Sequence, residues 1–145
     1  MSAYKHLLLA VDFSTNTDEV IGKGVALAEA FGARISLVNV VEFAQIDLSN
    51  ELIMPQELEL DQELLAQAES RLEAVAEKHG LGDYPRFVRQ GSTKREILQL
   101  AEQEDIDLIV VGSHGRSGFQ LLLGSTANAV LHGAPCDVLA VRVKH

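Results

Sequence analysis

The chain has 145 residues, of which 47% are hydrophobic and none is tryptophan, and its formal net charge is -9 at pH 7. That length suits one domain with a single aliphatic core, and the negative charge argues against broad binding to nucleic acids or anionic membranes. The single cysteine, Cys136, excludes a disulfide scaffold or a cysteine metal cluster within one chain.

The apolar run near the amino terminus is too short to be an export signal. It extends from Leu7 to Val11 and ends at Asp12, whereas the apolar part of a secretory signal has about 7–15 residues. No run in the chain approaches the roughly 20 apolar residues that cross a bilayer. We therefore expect a cytoplasmic protein without a membrane partner.

The first third of the chain predicts a strand, a helix and a second strand. HLLLAVDF, residues 6–13, is typical of a strand that is covered on both faces. Helical spacing of apolar residues begins near Thr15, and Gly32 marks the end of that helix. RISLVNVVE, residues 34–42, predicts the next strand. Residues 43–63 are acidic and contain no Lys or Arg, so we expect a surface connection with at most a short helical turn.

The middle of the chain predicts two helices around a short strand. Apolar residues at helical spacing from Leu64 indicate an amphipathic helix that ends at Gly80. RFVRQ, residues 86–90, predicts a strand. Thr93 and the glutamate three positions later form a capping-box pattern, which predicts a helix through about Gln103.

The last third of the chain completes the alternation. DLIVVGS, residues 107–113, is the most hydrophobic predicted strand. Residues 125–132 predict a short helix, and residues 137–143 predict the last strand. Buried strands that alternate with helices imply a parallel sheet with right-handed crossovers and helices on both faces. We expect a single α/β domain over residues 1–145, with any ligand beyond the carboxyl ends of the strands.

A glycine-rich stretch, GSHGRSGFQLLLGST, joins the fourth strand to the following helix at residues 112–126. Gly112 and Gly115 permit close approach of a ligand to the main chain, and Gly124 is followed by Ser125 and Thr126 at a helix amino terminus. No Asp or Glu occurs between residues 108 and 136, which suits an anion. Ordinary turn and cap chemistry explains the same residues, and is favoured on these residues alone.

The stretch matches neither of two common nucleotide motifs. It contains no lysine, so it is not a G-x-x-x-x-G-K-[ST] loop, and no G-x-G-x-x-G follows the first strand. Phosphoryl transfer needs several cations and a positioned nucleophile, and the stretch offers one arginine. We therefore expect a binding protein and not an enzyme.

The chain resembles the universal stress protein family in four segments: YKHLLLAVDFS, IDLIVVGSHGRSG, LLLGSTANAVL and APCDVLAVR. The resemblance implies a Rossmann-like three-layer fold with a five-stranded parallel sheet in the order 3-2-1-4-5. In that order the direction of winding reverses between the first and fourth strands, where Asp12 and Gly112 are expected to end their strands.

Members of this family that bind ATP carry a G-x2-G-x9-G-[ST] loop. This chain has two residues between Gly112 and Gly115 but only eight between Gly115 and Gly124, so its loop is one residue shorter. The resemblance implies binding of ATP, or of AMP or ADP, with Mg2+ on the phosphates. The shorter loop leaves open an alternative, a nucleotide-independent homodimer in which the loop is only structural.

The resemblance also implies a role for each residue of the candidate site. Main-chain amides and hydroxyls would hold the phosphates at Gly112, Gly115, Gly124, Ser125 and Thr126. Asp12 would face the ribose or Mg2+. Val11 and Val40 would contact adenine beside Ala10. Arg116 would pair with phosphate, and His114 would hydrogen-bond the ligand. The alternatives are a helix-capping role for Asp12, core packing for Val40, and solvated loop positions for Arg116 and His114.

The last strand bears on assembly. The family order places it at the edge of the sheet, where its open hydrogen-bonding groups need protection. The resemblance implies a homodimer that pairs through this strand. Alternatively, Arg142 and Lys144 guard the edge of a monomer against pairing.

Overall fold

The computed structural model describes residues 3–42, 55–113, 128, 130 and 132–142, with only the backbone described at 55–61. Residues 128, 130, 132 and 133 are helical. The other elements, in chain order, are β1 (His6–Ala10), α1 (Thr17–Phe31), β2 (Arg34–Val41), α2 (Pro55–Lys78), β3 (Arg86–Gln90), α3 (Thr93–Gln103), β4 (Leu108–Gly112) and β5 (Asp137–Val141).

The five strands form one parallel sheet in the order β3-β2-β1-β4-β5. The register places Leu9 of β1 beside Leu37 of β2 and Val110 of β4. The continuous apolar sequence of β1 fits this central position, because both of its faces are covered. The predicted fold class and strand order are confirmed.

Two apolar layers cover the sheet. On one face, Leu9 and Leu37 pack with Ile21 of α1 and Leu72 of α2. On the other face, a second buried cluster contains residues of the sheet, of α3 and of the helical segment that includes Val130: Leu8, Val38, Ile109, Ile97, Leu100 and Val130. The alternation of side chains along a strand produces this division, and it confirms helices on both faces.

The helix α1 ends where the sequence indicates. Gly32 adopts a left-handed conformation with φ 64°, and its N–H donates to the carbonyl oxygen of Ala28. Glycine adopts this conformation without the steric cost of a Cβ atom. At its other end, the helix begins at Thr17 after the N-cap residue Asn16, two positions later than expected.

The helix α2 begins much earlier than expected. The sequence prediction of a connection through residue 63 is wrong from Pro55 onward, because residues 55–63 belong to the helix. Proline is favoured in the first helical turn, and the Glu, Gln and Leu residues that follow are good helix formers. Residues 43–54 lie outside the described part of the chain.

The helix α3 has the predicted bounds but a different cap. Its N-cap is Ser92, whose side chain makes no capping hydrogen bond, so the predicted capping box is wrong. Thr93 lies inside the helix, and its hydroxyl donates instead to the carboxylate of Glu42. Among the described helices, none combines the length and the apolar character required to cross a bilayer.

Candidate functional site

A cavity of about 500 Å³ opens at the carboxyl ends of β1, β2 and β4. Residues of α1, α2 and α3 form its sides, among them Thr17, Ala68 and Ile97. Parallel sheets bind ligands at this end, where the winding reverses, and this volume lies within the usual range for ligand pockets. The cavity is therefore the candidate site.

Five of the residues predicted for the site line this cavity together: Ala10, Val11, Asp12, Val40 and Gly112. They come from three neighbouring strands and from the turn after β1. The remaining six predicted residues lie outside the described part of the chain: His114, Gly115, Arg116, Gly124, Ser125 and Thr126. Their roles stay predictions.

Asp12 lies two residues beyond the end of β1, in the turn that leads to α1. One oxygen of its carboxylate accepts a hydrogen bond from the N–H of Ser14 at 3.0 Å. Asn16, and not Asp12, is the N-cap of the helix, so Asp12 stabilises the turn and does not cap the helix. The second carboxylate oxygen accepts no hydrogen bond from a described residue.

Asn39 is a lining residue that the sequence interpretation missed. Its side chain is 6% exposed, and its amide nitrogen donates to the carbonyl oxygen of Val11 at 2.7 Å. The N–H of Val11 donates in turn to the carbonyl oxygen of Val38. These bonds fix the chain just beyond β1, where Asp12 follows. The signal available in the sequence was weak, because Asn39 is one of three polar residues, with Arg34 and Ser36, in the segment RISLVNVV.

Val40 and Gly112 occupy the ends of their strands. Val40 lines the cavity and also packs against the buried cluster beneath α3. Its side chain is therefore placed both to contact adenine and to pack in the core. Gly112 is the last residue of β4 and pairs with Val141 of β5. The glycine-rich stretch therefore begins at the wall of the cavity.

Phe13 and Arg71 form one side of the cavity mouth. The backbone of Phe13 has φ 59°, a conformation that is unfavourable for a bulky side chain. The guanidinium carbon of Arg71, on α2, lies 4.3 Å from the centroid of the Phe13 ring, which is within the range of a cation–π interaction. No sequence motif indicated either residue, because α2 joins the site only through the tertiary fold.

The charged side chains that line the described part of the cavity are Asp12, Glu42 and Arg71. One oxygen of Glu42 accepts hydrogen bonds from the backbone N–H of Thr93 at 3.2 Å and from its hydroxyl at 2.5 Å. A carboxylate at the amino terminus of α3 is stabilised by the helix dipole. The acids of the cavity are thus held by the protein's own donors.

Neither a metal cluster nor a reactive thiol is found in the described residues. They contain no group of three or more His, Cys, Asp or Glu side chains that are arranged to hold a metal ion. Cys136 is half-buried and is not among the residues that line the cavity. Burial raises the pKa of its thiol, and the nearby Asp137 adds to that effect. Cys136 therefore acts as a small apolar residue.

Comparison with known proteins gives consistent matches over the whole fold. The model of the universal stress protein family matches residues 3–142. Two proteins of Coxiella burnetii (strain RSA 493 / Nine Mile phase I) are similar in sequence. Universal stress protein A homolog 1 is 38% identical, with 97% of this chain and 98% of the relative covered. Universal stress protein A homolog 2 is 39% identical, with 99% of each covered.

Solved structures share the fold. The hypothetical protein MJ0577 superimposes with a TM-score of 0.82 at 27% identity, with 98% of each chain covered. A universal stress protein crystallised in complex with cAMP superimposes with a TM-score of 0.64 at 22% identity, with 97% of this chain and 98% of that chain covered. The second likeness is one of fold alone.

Proposed function

Since the chain belongs to the universal stress protein family, we propose that it binds an adenine nucleotide, ATP, in the cavity at the carboxyl ends of β1, β2 and β4. The observation that carries this proposal is the convergence of Asp12, Val40 and Gly112 on one cavity of about 500 Å³. Three separate segments supply these residues at the point where the winding of the sheet reverses.

The adenosine part of the ligand has a suitable surface in the described residues. Val11 and Val40 offer apolar contacts for adenine, and Asn39 keeps the chain near Val11 in place. The carboxylate oxygen of Asp12 that accepts no hydrogen bond from a described residue is suited to a ribose hydroxyl. The cAMP complex of a structural neighbour is a precedent for an adenine nucleotide on this fold, although it assigns no residue of this chain.

The phosphates would lie toward the glycine-rich stretch that begins at Gly112. Main-chain amides at the start of a helix bind phosphate without a net positive charge, which suits a chain with a net charge of -9. From the sequence alone, Gly118 would allow a tighter path through the shorter loop. Mg2+ is bound in proteins by one or two carboxylates together with the phosphates of the ligand, and Asp12 fits that requirement.

We propose binding and stress signalling in the cytoplasm, and not catalysis. Among the described residues that line the cavity there is one cation, Arg71, and no lysine. Efficient phosphoryl transfer neutralises charge with several cations and positions a nucleophile. The nucleotide would act by changing the shape or the assembly of the protein.

A second candidate function is a nucleotide-independent homodimer. The spacing of eight residues between Gly115 and Gly124 favours it, as does the position of β5 at the edge of the sheet. In this case the glycine-rich stretch serves only as a joint between strand and helix.

The proposal is tested by denaturing the purified protein to look for released adenine nucleotide, and by calorimetric titration of the ligand-free protein with ATP and Mg2+. We expect micromolar affinity, which corresponds to about -8 kcal/mol. No released nucleotide and no heat of binding would support the second candidate.

A pair of glycine variants locates the site. We expect Gly115→Val to abolish ATP binding, because the branched side chain would occupy the space of the ligand. The control is Gly22→Val, since Gly22 lies in α1 with open space around an added Cβ atom. Both variants should remain folded by circular dichroism. Wild-type affinity in Gly115→Val would show that ATP binds elsewhere.

A further inference from the structure

Arg71 lines the cavity, and its guanidinium donates no hydrogen bond to a described residue. The guanidinium lies over the ring of Phe13 at 4.3 Å, and no described residue accepts a hydrogen bond from it or forms an ion pair with it. A guanidinium carries five N–H donors, and stacking on an aromatic ring leaves those at its edge available. These donors are therefore available to a ligand.

The acids of the cavity do not compete for this cation. Asp12 accepts the N–H of Ser14, and Glu42 is held by the backbone and the hydroxyl of Thr93. Neither carboxylate forms an ion pair with Arg71. Among the described lining residues, Arg71 is thus the one cation, and it lacks an anionic partner.

The conformation of Phe13 indicates why Arg71 keeps this position. A residue with a bulky side chain at φ 59° is strained, and such conformations are concentrated at ligand sites. This backbone conformation sets the direction in which the ring of Phe13 points. The ring then supports the guanidinium of Arg71 at the mouth of the cavity.

We infer that Arg71, supported by the ring of Phe13, contacts a phosphate group of the bound nucleotide. Planar guanidinium groups match phosphate oxygens with two parallel hydrogen bonds. The inference rests on the proposed function and adds a residue from α2 to it. It predicts that Arg71 distinguishes a nucleotide from its nucleoside, because the nucleoside lacks the phosphate.

The test compares adenosine with AMP and ATP by calorimetry, using the wild-type chain and Arg71→Gln. We expect AMP and ATP to bind about 10- to 100-fold more weakly to the variant, as is typical for the loss of a charge-assisted hydrogen bond. The affinity for adenosine should be unchanged. Arg71→Lys should recover part of the affinity for AMP, because it restores the charge without the planar fork.

Arg89→Gln is the matched control. Arg89 stacks on Phe87 at 5.6 Å, and it does not belong to the cavity lining. Its substitution removes the same charge and the same kind of stacking, and we expect the affinities for adenosine, AMP and ATP to stay unchanged. Arg71 is exposed on α2, so Arg71→Gln should keep the thermal stability of the wild-type protein.

The outcomes separate the two proposals. If Arg71→Gln binds AMP with the affinity of the wild-type protein, the assignment of Arg71 is overturned and the proposed function stays intact. An equal loss of affinity for adenosine and for AMP would also overturn the assignment of Arg71 to a phosphate, because the side chain would then contact the nucleoside. If the wild-type protein binds no nucleotide, the proposed function and this inference both fail.

Discussion

Two glycines of α1 differ in the space around them. A Cβ atom added at Gly24 would lie 2.8 Å from Leu9 Cδ1 and closer still to Leu9 Cδ2, whereas one added at Gly22 meets nothing within 4 Å. Leu9 is fully buried in the central strand. Gly24 therefore allows α1 to pack closely against β1, and Gly22 has no such role.

Alanine substitutions should separate these two positions. We expect Gly24→Ala to lower the free energy of unfolding by about 1 kcal/mol, because overpacking costs about 1–3 kcal/mol and the gain in helix propensity returns about 1 kcal/mol. Gly22→Ala should raise it by about 0.5–1 kcal/mol. Urea denaturation measures both. Equal effects of the two substitutions would contradict the packing of α1 on Leu9.

The site residues differ in how far the sequence reveals them. Asp12 follows β1 and Gly112 ends β4, so the strand order implied by the family resemblance predicts that they lie close together. Asn39 gives a weaker signal, because it is one of three polar residues in the sequence of β2. Arg71 gives none, since its place beside Phe13 depends on how α2 packs against the turn after β1.

The buried histidine of β1 joins several elements at the amino end of the sheet. His6 is 6% exposed. Its Nδ1 lies 3.1 Å from the carbonyl oxygen of Glu104, and its Nε2 lies 2.7 Å from the hydroxyl of Ser36. A carbonyl oxygen only accepts, so Nδ1 carries the proton and Nε2 accepts from Ser36. The neutral ring satisfies both partners.

This arrangement makes stability depend on pH. Burial, together with the charge of Arg34, lowers the pKa of His6 below its ordinary value of 6.5, although Glu104 and Asp107 partly oppose the shift. The unfolded chain therefore binds a proton at a higher pH than the folded protein does. The contribution of His6 to stability is complete above pH 6.5 and is lost as the pH falls toward the lowered pKa.

Urea denaturation between about pH 8 and about pH 5.5 tests this contribution. We expect the free energy of unfolding to fall less with acidification in His6→Gln than in the wild-type protein. The control is His132→Gln, which removes an exposed imidazole and should keep the wild-type dependence. If the stability of His6→Gln and of the wild-type protein depends on pH in the same way, the pKa of His6 does not change on unfolding.

The elements also show where local sequence signals mislead. The end of α1 at Gly32 and the bounds of β3 agree with prediction. The helix α3 has the expected extent, although its N-cap is Ser92 and not the predicted Thr93. The start of α2 does not agree. Its acidic composition suggested a loop, but the helix propensity of those residues allows α2 to begin at Pro55.

At the scale of the whole molecule, β5 forms an edge of the sheet with half-buried residues from Val138 to Ala140. A depression beside it is lined largely by apolar side chains, including Phe31 and Leu139. Open hydrogen-bonding groups next to apolar surface favour pairing with another strand. We expect two copies of the chain to associate through β5.

Sedimentation velocity over a range of protein concentrations tests this association. A dimer that persists at low concentration is the expected result. A monomer at every concentration would contradict it, and would favour protection of the edge by Arg142. Repeating the measurement with ATP shows whether the ligand changes the assembly.

The overall architecture was predictable because it depends on patterns that run along the entire chain. Five strands alternate with helices, and the resemblance of both chain ends to one family supplied the strand order, which the sheet confirms. The shape of the cavity was not predictable, because its walls come from three helices whose packing is set by tertiary contacts. The residues of the glycine-rich stretch beyond Ser113 stay predictions from sequence.

The central claim is that an adenine nucleotide occupies the cavity where β1, β2 and β4 end, and an NMR titration of 15N-labelled protein with AMP tests it most directly. The account predicts that the largest amide shifts occur at Asp12, Val40 and Gly112, while His6 and Leu108 at the opposite end of the sheet stay unchanged. Shifts confined to residues around β5, or no shifts at saturating AMP, would contradict it.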